Sequence, residues 1–390
     1  MGVKKIAYIN PKMLVWARTI TPFETLDDVS ERIKTISVEK LFNYENGIEY
    51  PSISEAKSLA KLYKVPLACF FLTEAPERKI KKYVDRRTLK GTVYGKESYN
   101  LWSEIERILS NREKIIEYGD EILFSEIPYL PEGLSDIDTA EFIRSFLEIK
   151  TPFKSKYQYG NNSFSFFRRN IEDKGIIVAQ LSGVSLAEMR GLSICEESIP
   201  IIAINNKDYD RAKTFTLIHE MIHIFRRTSS LCLVDFDERN DDEERYCDFI
   251  AANVLMPSNV FIEIARDALK KYNNWTYLSL SFVGDKFAVS VFSVIRRLYE
   301  LKMINISEYM KLYDEVKADF EKIQKDIDAK NNEKEFRVKY CYRYLNLEGY
   351  LFPRTILSAY HEGHITFGEV CSLMKINSKH YNNIEKAVMY

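Results

Sequence analysis

Two imidazoles and a carboxylate stand together in TFTLIHEMIHIF, residues 214–225. His219 and His223 are four apart, and Glu220 directly follows the first. Residues four apart on a helix lie one turn apart on the same face. Both rings can therefore reach one cation, at about 2.0–2.1 Å from each nitrogen if the ion is zinc. Such an ion lowers the pKa of its water to about 7, so a neighbouring carboxylate suffices as base. Glu220 stands where that base is needed. Phe215, Leu217, Ile218, Ile222 and Phe225 are apolar and bury the helix around its polar stripe. The competing reading is two ordinary histidines on an amphipathic helix, because this spacing also arises by chance.

A third ligand decides between the two readings. Downstream stands DDEERYCDFIAANVLMP, residues 241–257. From Glu244 onward it has helical period, and Pro257 stops it. Glu244 and Asp248 share a face, so Glu244 can complete the ligand set while Asp248 orients a ligand imidazole. Glu243 is a poorer ligand, since it lies about 100° around the helix and loses the four-residue spacing to Asp248. The order H-E-x-x-H with a distant acid is the arrangement of metallopeptidases. A second histidine pair, His361 and His364 in YHEGHITF, is set aside, because Gly363 between them ends a helix.

The elements around the motif must position it. Residues 164–175 read as a helix closed by Gly175. IIVAQL, MRGLSI and IPIIAIN read as three short strands, the last two separated by the polar CEES turn. Asp208 or Asp210 then caps the long helix that carries His219 and His223. The expectation is a small sheet packed on that helix, with IPIIAIN as an edge strand able to pair with an extended substrate. Residues 99–123 are helical in period, and another helix falls near 138–147. Residues 258–305 are helical, and FVGDKFAVSVFSVIRRLYELKMI has helix-turn-helix rhythm, with Arg296 and Arg297 on its second helix. A charged helix over 308–330 precedes an aromatic-rich helical segment. Tyr209 and Arg190 are candidates for stabilising an oxyanion, each with a structural role as the simpler explanation.

The first 75 residues are different. Pro11, Ser37, Gly47 and Pro66 punctuate four or five short helices. Tight turns at this spacing suggest a helix-turn-helix module whose recognition helix, 37–46, offers Lys40 and Asn43 to DNA. Ten Lys/Arg against nine Asp/Glu make the module electrostatically poor for phosphate. Residues 78–90, RKIKKYVDRRTLK, carry seven basic residues against one acidic and mark the sharpest boundary. They read as a solvated linker or as a phosphate-contacting arm.

Composition bounds the rest. The 390 residues imply two to four units, and 46% hydrophobic content supports real cores. A net charge of −1 gives no global pull towards nucleic acid or anionic membrane. The six cysteines lack any CxxC pair and read as reduced thiols of a cytoplasmic protein. No apolar secretion core opens the chain, and no run of about 18 apolar residues spans a membrane.

PIIAIN…RAKTFTLIHEMIHIF followed by ERYCDFIAANVLMP resembles the ImmA/IrrE family of metallopeptidases. Matching backwards from Met256 and Pro257 sets Glu244 at the family's ligand position. Cys247 and Asp248 fall where Ala-Asn is usual, and Phe249-Ile250 replace a small residue and Phe. GIIVAQLSGVSLAEMRGLSI is similar to the family's strand-turn-strand with its Arg-Gly pair. The order INPKMLVWAR…LFNYENGIEYPSISEAKSLAKLYKVPLACFFL resembles the Xre-type repressor domain that precedes such peptidases. The resemblance implies a gluzincin-like core and a regulator that cleaves a partner protein, often a DNA-bound repressor.

The expected fold is therefore α+β and predominantly helical. Its divisions are an Xre-like helix-turn-helix domain over 1–75, a basic linker over 76–97, a metallopeptidase-like domain over 98–265, a helical extension over 266–330 and a small helical domain over 331–390. The expected activity is zinc-dependent endopeptidase, with Mn2+ as another divalent metal the site could take. Glu220 is the expected base, His219, His223 and Glu244 the ligands, and Asp248 their support. The expected partner is a repressor or antitoxin-like regulator, with DNA reached through residues 1–90. The alternative is a DNA-binding regulator or docking protein whose metal site cuts nothing.

Overall fold

The computed structural model describes residues 5–76, 98–119, 127–153, 163–195, 198–227, 230–232, 242–333 and 338–389. The chain divides into two compact units, Met1–Ser110 and Asn111–Tyr390. The basic run at 78–90 lies outside the described residues.

The first unit holds four helices, α1 (Pro11–Thr19), α2 (Leu26–Ile33), α3 (Val38–Glu45) and α4 (Ile53–Leu62), then a 3₁₀ turn at Leu67–Phe71. Each helix starts where a side-chain oxygen can accept an otherwise orphaned N–H. Asn10, Thr25, Ser37 and Ser52 are these caps, and Thr25 with Asp28 and Ser52 with Glu55 form reciprocal boxes. Leu14, Ala17, Val29, Ile36, Leu41, Leu59, Tyr63 and Phe70 close the core. Helix α5 (Tyr99–Tyr118) contains the boundary between the units. Within the first unit its Tyr99 stacks on Phe23 with ring centres 5.0 Å apart.

The second unit is built on four strands, β1 (Ile177–Leu181), β2 (Gly191–Ile194), β3 (Ile201–Asn205) and β4 (Ser230–Cys232), in the order β1-β3-β2-β4. Strand β3 runs parallel to β1 and antiparallel to β2, while β2 is antiparallel to β4. This corrects the expectation that IPIIAIN is an edge. Every residue of β3 is buried, and both its sides are already paired. A continuous apolar run suits such an interior strand, because both faces of the sheet are covered. The fourth strand, SLC, is too short to show a period, and the sequence reading missed it.

Helix α8 (Asp210–Phe225) packs on the sheet and against α9 (Asp242–Leu255). Tyr209, not an aspartate, occupies its N-cap, and no side chain caps it there. Asp208 instead accepts from the Tyr209 N–H at 3.0 Å, and Asp210 sits in the first turn. Helices α6 (Asp136–Phe146) and α7 (Ser163–Glu172) complete one side of the core.

Helices α10 (Ser258–Tyr272), α11 (Tyr277–Phe287), α12 (Val291–Glu300) and α13 (Ile306–Glu333) follow. Phe261, Val283, Phe287, Val294, Leu298 and Leu312 belong to the same core as Leu217, Ile218 and Ile250. The core thus runs without a break through residue 265, where the sequence reading divides two domains.

The C-terminal helices α14 (Tyr340–Glu348), α15 (Leu351–His361), α16 (Phe367–Leu373) and α17 (Tyr381–Met389) meet β1 through a clamp on α7. Arg168 donates to the carbonyls of Leu345 at 2.9 Å and Asn346 at 2.8 Å, near the end of α14. It also donates to the Val178 carbonyl in β1. One turn on, Glu172 accepts from the Tyr350 N–H at 2.9 Å and the Leu351 N–H at 3.3 Å. Helix α15 has no cap of its own, so a carboxylate from another helix does that work. The Arg168 cation thus faces a helix end whose partial charge it complements.

Burial pushes the Glu172 carboxyl up to about 7, against the opposing pull of Arg168 and the two N–H donors. The folded state then keeps this proton to a higher pH than the unfolded chain does. Its stabilising contribution is complete below about 4.5 and is lost as pH rises through about 7. We expect unfolding free energy to fall by on the order of 3 kcal/mol across that window from this group. Glu172→Gln should flatten that slope in urea titrations run between pH 5 and 8, and an unchanged slope would assign it elsewhere.

Among the described residues, no single helix is long and apolar enough to cross a membrane. Cys69, Cys195, Cys247, Cys341 and Cys371 are free thiols.

Candidate metal centre

Helices α8 and α9 bring the distant acid to the histidine pair. His219 Nε2 and His223 Nε2 are 3.1 Å apart. Glu244 Oε2 lies 3.2 Å from the first and Oε1 lies 3.3 Å from the second. Donors about 2.0–2.1 Å from one tetrahedral ion would stand roughly 3.3 Å from each other. The three groups therefore have the mutual spacing of ligands around a single small cation, and their chemistry, two imidazoles and a carboxylate, suits zinc or a similar divalent ion.

Both histidines are buried and Glu244 is half-buried. Burial works to raise the Glu244 carboxyl, but the two imidazoles against it hold it well below the usual range. It thus stays a carboxylate, the form a cation needs.

Asp248 stands one turn beyond Glu244. Its Oδ1 is 2.9 Å from His219 Nδ1. A carboxylate there accepts the Nδ1 proton, which leaves the Nε2 lone pair free to bind a metal.

Glu243 is taken up by another partner. Its two oxygens accept from Arg226 Nε at 2.6 Å and Nη2 at 2.7 Å, a bidentate pair that competes with metal binding. Glu243 also belongs to a second group of possible ligands with His223 and Cys247. There Cys247 Sγ is 3.8 Å from His223 Nδ1, the ring nitrogen opposite Nε2. Burial holds the Cys247 thiol far above its ordinary range, so it stays protonated and a poor ligand.

Glu220 is fully buried beside His219. Its position depends on Gly191 in β2. A Cβ on that residue would stand 3.2 Å from Glu220 Oε1 and 2.5 Å from Thr216 Cγ2. The glycine therefore lets the sheet approach α8 closely on the face that carries Glu220. Its sequence signal was the Arg-Gly pair of MRGLSI, which spacing alone could not interpret. We expect Gly191→Ala to cost about 1–3 kcal/mol of stability through overpacking. It should also lower any activity that depends on Glu220, by displacing that carboxylate. Thermal unfolding beside a cleavage assay would check both, and a variant as stable and active as the parent would discount the contact.

Other singled-out residues lie elsewhere. Tyr209 precedes His219 by ten positions on the helix axis, roughly 15 Å. It is half exposed and packs edge-on against Phe320 at 5.3 Å. Arg190 pairs with Asp208 at 3.7 Å, at that same end of α8. Tyr209 is thus away from the histidines, and Arg190 is engaged by Asp208. His361 pairs with Glu385 at 3.0 Å and His364 with Glu362 at 3.6 Å, so that pair does not converge.

In the first unit, Lys40 Nζ is 3.4 Å from Glu55 Oε1. Asn43 is half-buried, and its carbonyl accepts the N–H groups of Ile48 and Glu49. The outward face of α3 instead presents Glu39, Phe42 and Asn46.

Among curated proteins, no sequence matches this chain. Residues 172–299, from the last residue of α7 to Tyr299 in α12, match the family model Peptidase_M78, the IrrE N-terminal-like domain. This segment, which carries the histidine pair, Glu220, Glu244 and Asp248, is therefore similar to a peptidase family, and the likeness points to a metallopeptidase-type function with a divalent metal.

Proposed function

We propose that this protein is a zinc-dependent endopeptidase that cleaves a partner protein, a transcriptional repressor or an antitoxin-like regulator. One observation carries the reading: three donors from two helices converge at 3.1–3.3 Å, with a buried carboxylate next along the chain from the first. Among the described residues no fourth protein donor joins the three. A structural zinc is closed by four protein ligands, whereas a catalytic one keeps a position open.

His219, His223 and Glu244 would hold the ion, and Asp248 would fix the His219 ring. When bound, the ion supplies Lewis acidity, which acidifies water and polarises a peptide carbonyl. Glu220 takes the proton of the attacking water on its carboxylate as oxygen bonds to the peptide carbon. As the carbon–nitrogen bond breaks, Glu220 hands that proton to the departing amine. An extended substrate would pair with β4, which among the described residues is the edge nearer β2 and has no further partner strand.

We read residues 1–75 as a helix-turn-helix module of Xre type that recognises the protein partner. Lys40 is engaged by Glu55, and Glu39 and Phe42 on the outer face of α3 suit a protein better than phosphates. The rival reading, DNA binding without cleavage, would draw on the same module.

Co-expression with candidate repressors and antitoxin-like regulators tests the proposal, with cleavage followed by gel and mass spectrometry. Zinc-dependent cleavage that a chelator stops is the expected result. An intact regulator in the presence of fully metal-loaded protein, with tight binding to duplex DNA, would favour the rival.

A further inference from the structure

The adjacent arginines of α12 take different directions. Arg297 is fully buried and ties the end of α9 to the start of α10. It donates to Asn253 Oδ1 at 2.6 Å, to the Met256 carbonyl at 3.1 Å and to Ser258 Oγ at 2.9 Å. Arg296 reaches towards the candidate metal centre. Its Nη1 donates to Asp248 Oδ2 at 3.3 Å, while Oδ1 is the oxygen 2.9 Å from His219 Nδ1. Its Nε donates to Glu300 Oε1 at 3.0 Å, and Glu300 Oε2 accepts from Arg297 at 3.3 Å.

We propose that Arg296 is a positioning residue of the metal centre: through Asp248 it fixes the His219 ring and so sets the affinity of the site for a divalent cation. The inference rests on the metal-centre reading above and adds a residue from a helix outside the ligand pair.

The physical argument starts from Asp248, which is buried. A buried carboxylate is costly unless its oxygens are hydrogen-bonded. A carboxylate plane that turns takes the His219 ring with it. A second donor on Oδ2 fixes that plane. A guanidinium is planar and rigid, so one group can bridge Asp248 and Glu300 in set directions. The line Arg297, Glu300, Arg296, Asp248, His219 thus runs from a buried anchor to the Nδ1 of a ring whose Nε2 faces the donor cluster. Helix α12 then belongs to the site as well as to the core.

The test uses the full chain and cobalt(II), whose visible absorption reports binding, with zinc competition for affinity. Arg296→Met is expected to weaken cobalt binding about threefold to tenfold, and Arg296→Lys to recover part of the loss. In an Asp248→Asn background, Arg296→Met should add less than about twofold, because the route through Asp248 is already cut. Denaturant unfolding of the metal-free variants separates loss of fold from loss of affinity. Cobalt affinity unchanged in Arg296→Met, while Asp248→Asn binds weakly, would overturn this inference alone. The same fold-loss in both backgrounds would also overturn it. A parent protein that takes up no cobalt would remove the metal centre itself, and this inference with it.

Discussion

Glu220→Gln is expected to retain its metal and lose about 10²–10⁴-fold in cleavage rate. A general base contributes on that order, and an amide cannot take the proton from water. The ligands are untouched, since the three donors come from His219, His223 and Glu244. Gln also has nearly the shape of Glu, so the close packing of α8 on Gly191 should persist. Metal content by elemental analysis and turnover of the cleaved regulator are the two measurements. Cleavage at the parental rate would end the assignment of Glu220 as base. Loss of metal would show instead that the carboxylate holds the site together. Glu243→Gln makes a useful comparison. It removes an acid one position from Glu244, but one whose oxygens are occupied by Arg226, so metal content should change little.

Gly349→Ala should be the most damaging single methyl in the second unit. Gly349 has φ 84° and ψ −169°, a conformation open essentially to glycine alone. A Cβ there would overlap Glu172 Oε1, approach the Val178 carbonyl oxygen to 2.8 Å and Arg168 Nη2 to 2.9 Å. The carbonyl is backbone in β1, and the two side chains are buried and hydrogen-bonded on several sides. None can yield without breaking the clamp that caps α14 and α15. We expect a loss of about 3 kcal/mol or more, against about 1 kcal/mol for Gly363→Ala. Gly363 also has positive φ, at 81°, but a Cβ there meets nothing within 4 Å. The difference between the two variants combines the steric overlap at Gly349 with its stricter backbone conformation. Urea unfolding would measure it, and limited proteolysis would show whether the α14–α17 helices are released. Equal losses at the two positions would refute the clamp as the source.

The two glycines also show where sequence reading stops. The break in helical period around Gly349 marks an end to α14. Nothing local says that Arg168 and Glu172, some 180 positions earlier, supply the caps for both helices that meet there. Likewise IPIIAIN was legible as a strand, but its place between β1 and β2 was not. Lateral order in a sheet is set by which backbones find each other, and chain order fixes only part of it. Nearness in sequence to the histidine helix suggested an edge; pairing on both sides put the strand inside. In the first unit the caps at Ser37 and Ser52 were local and readable, whereas the capture of Lys40 by Glu55 needed α3 and α4 to be packed together.

What the sequence determined by itself is which side chains share a helix face. His219 with His223, and Glu244 with Asp248, follow from a fixed rotation of about 100° per residue, a property of the backbone. The tertiary structure alone decided that these two faces meet, that Glu243 turns to Arg226, and that Arg296 reaches Asp248. Those outcomes depend on burying Leu217, Ile218, Ile250 and Val294 in one core. Burial is non-directional and collective, so no short stretch of the chain can specify it.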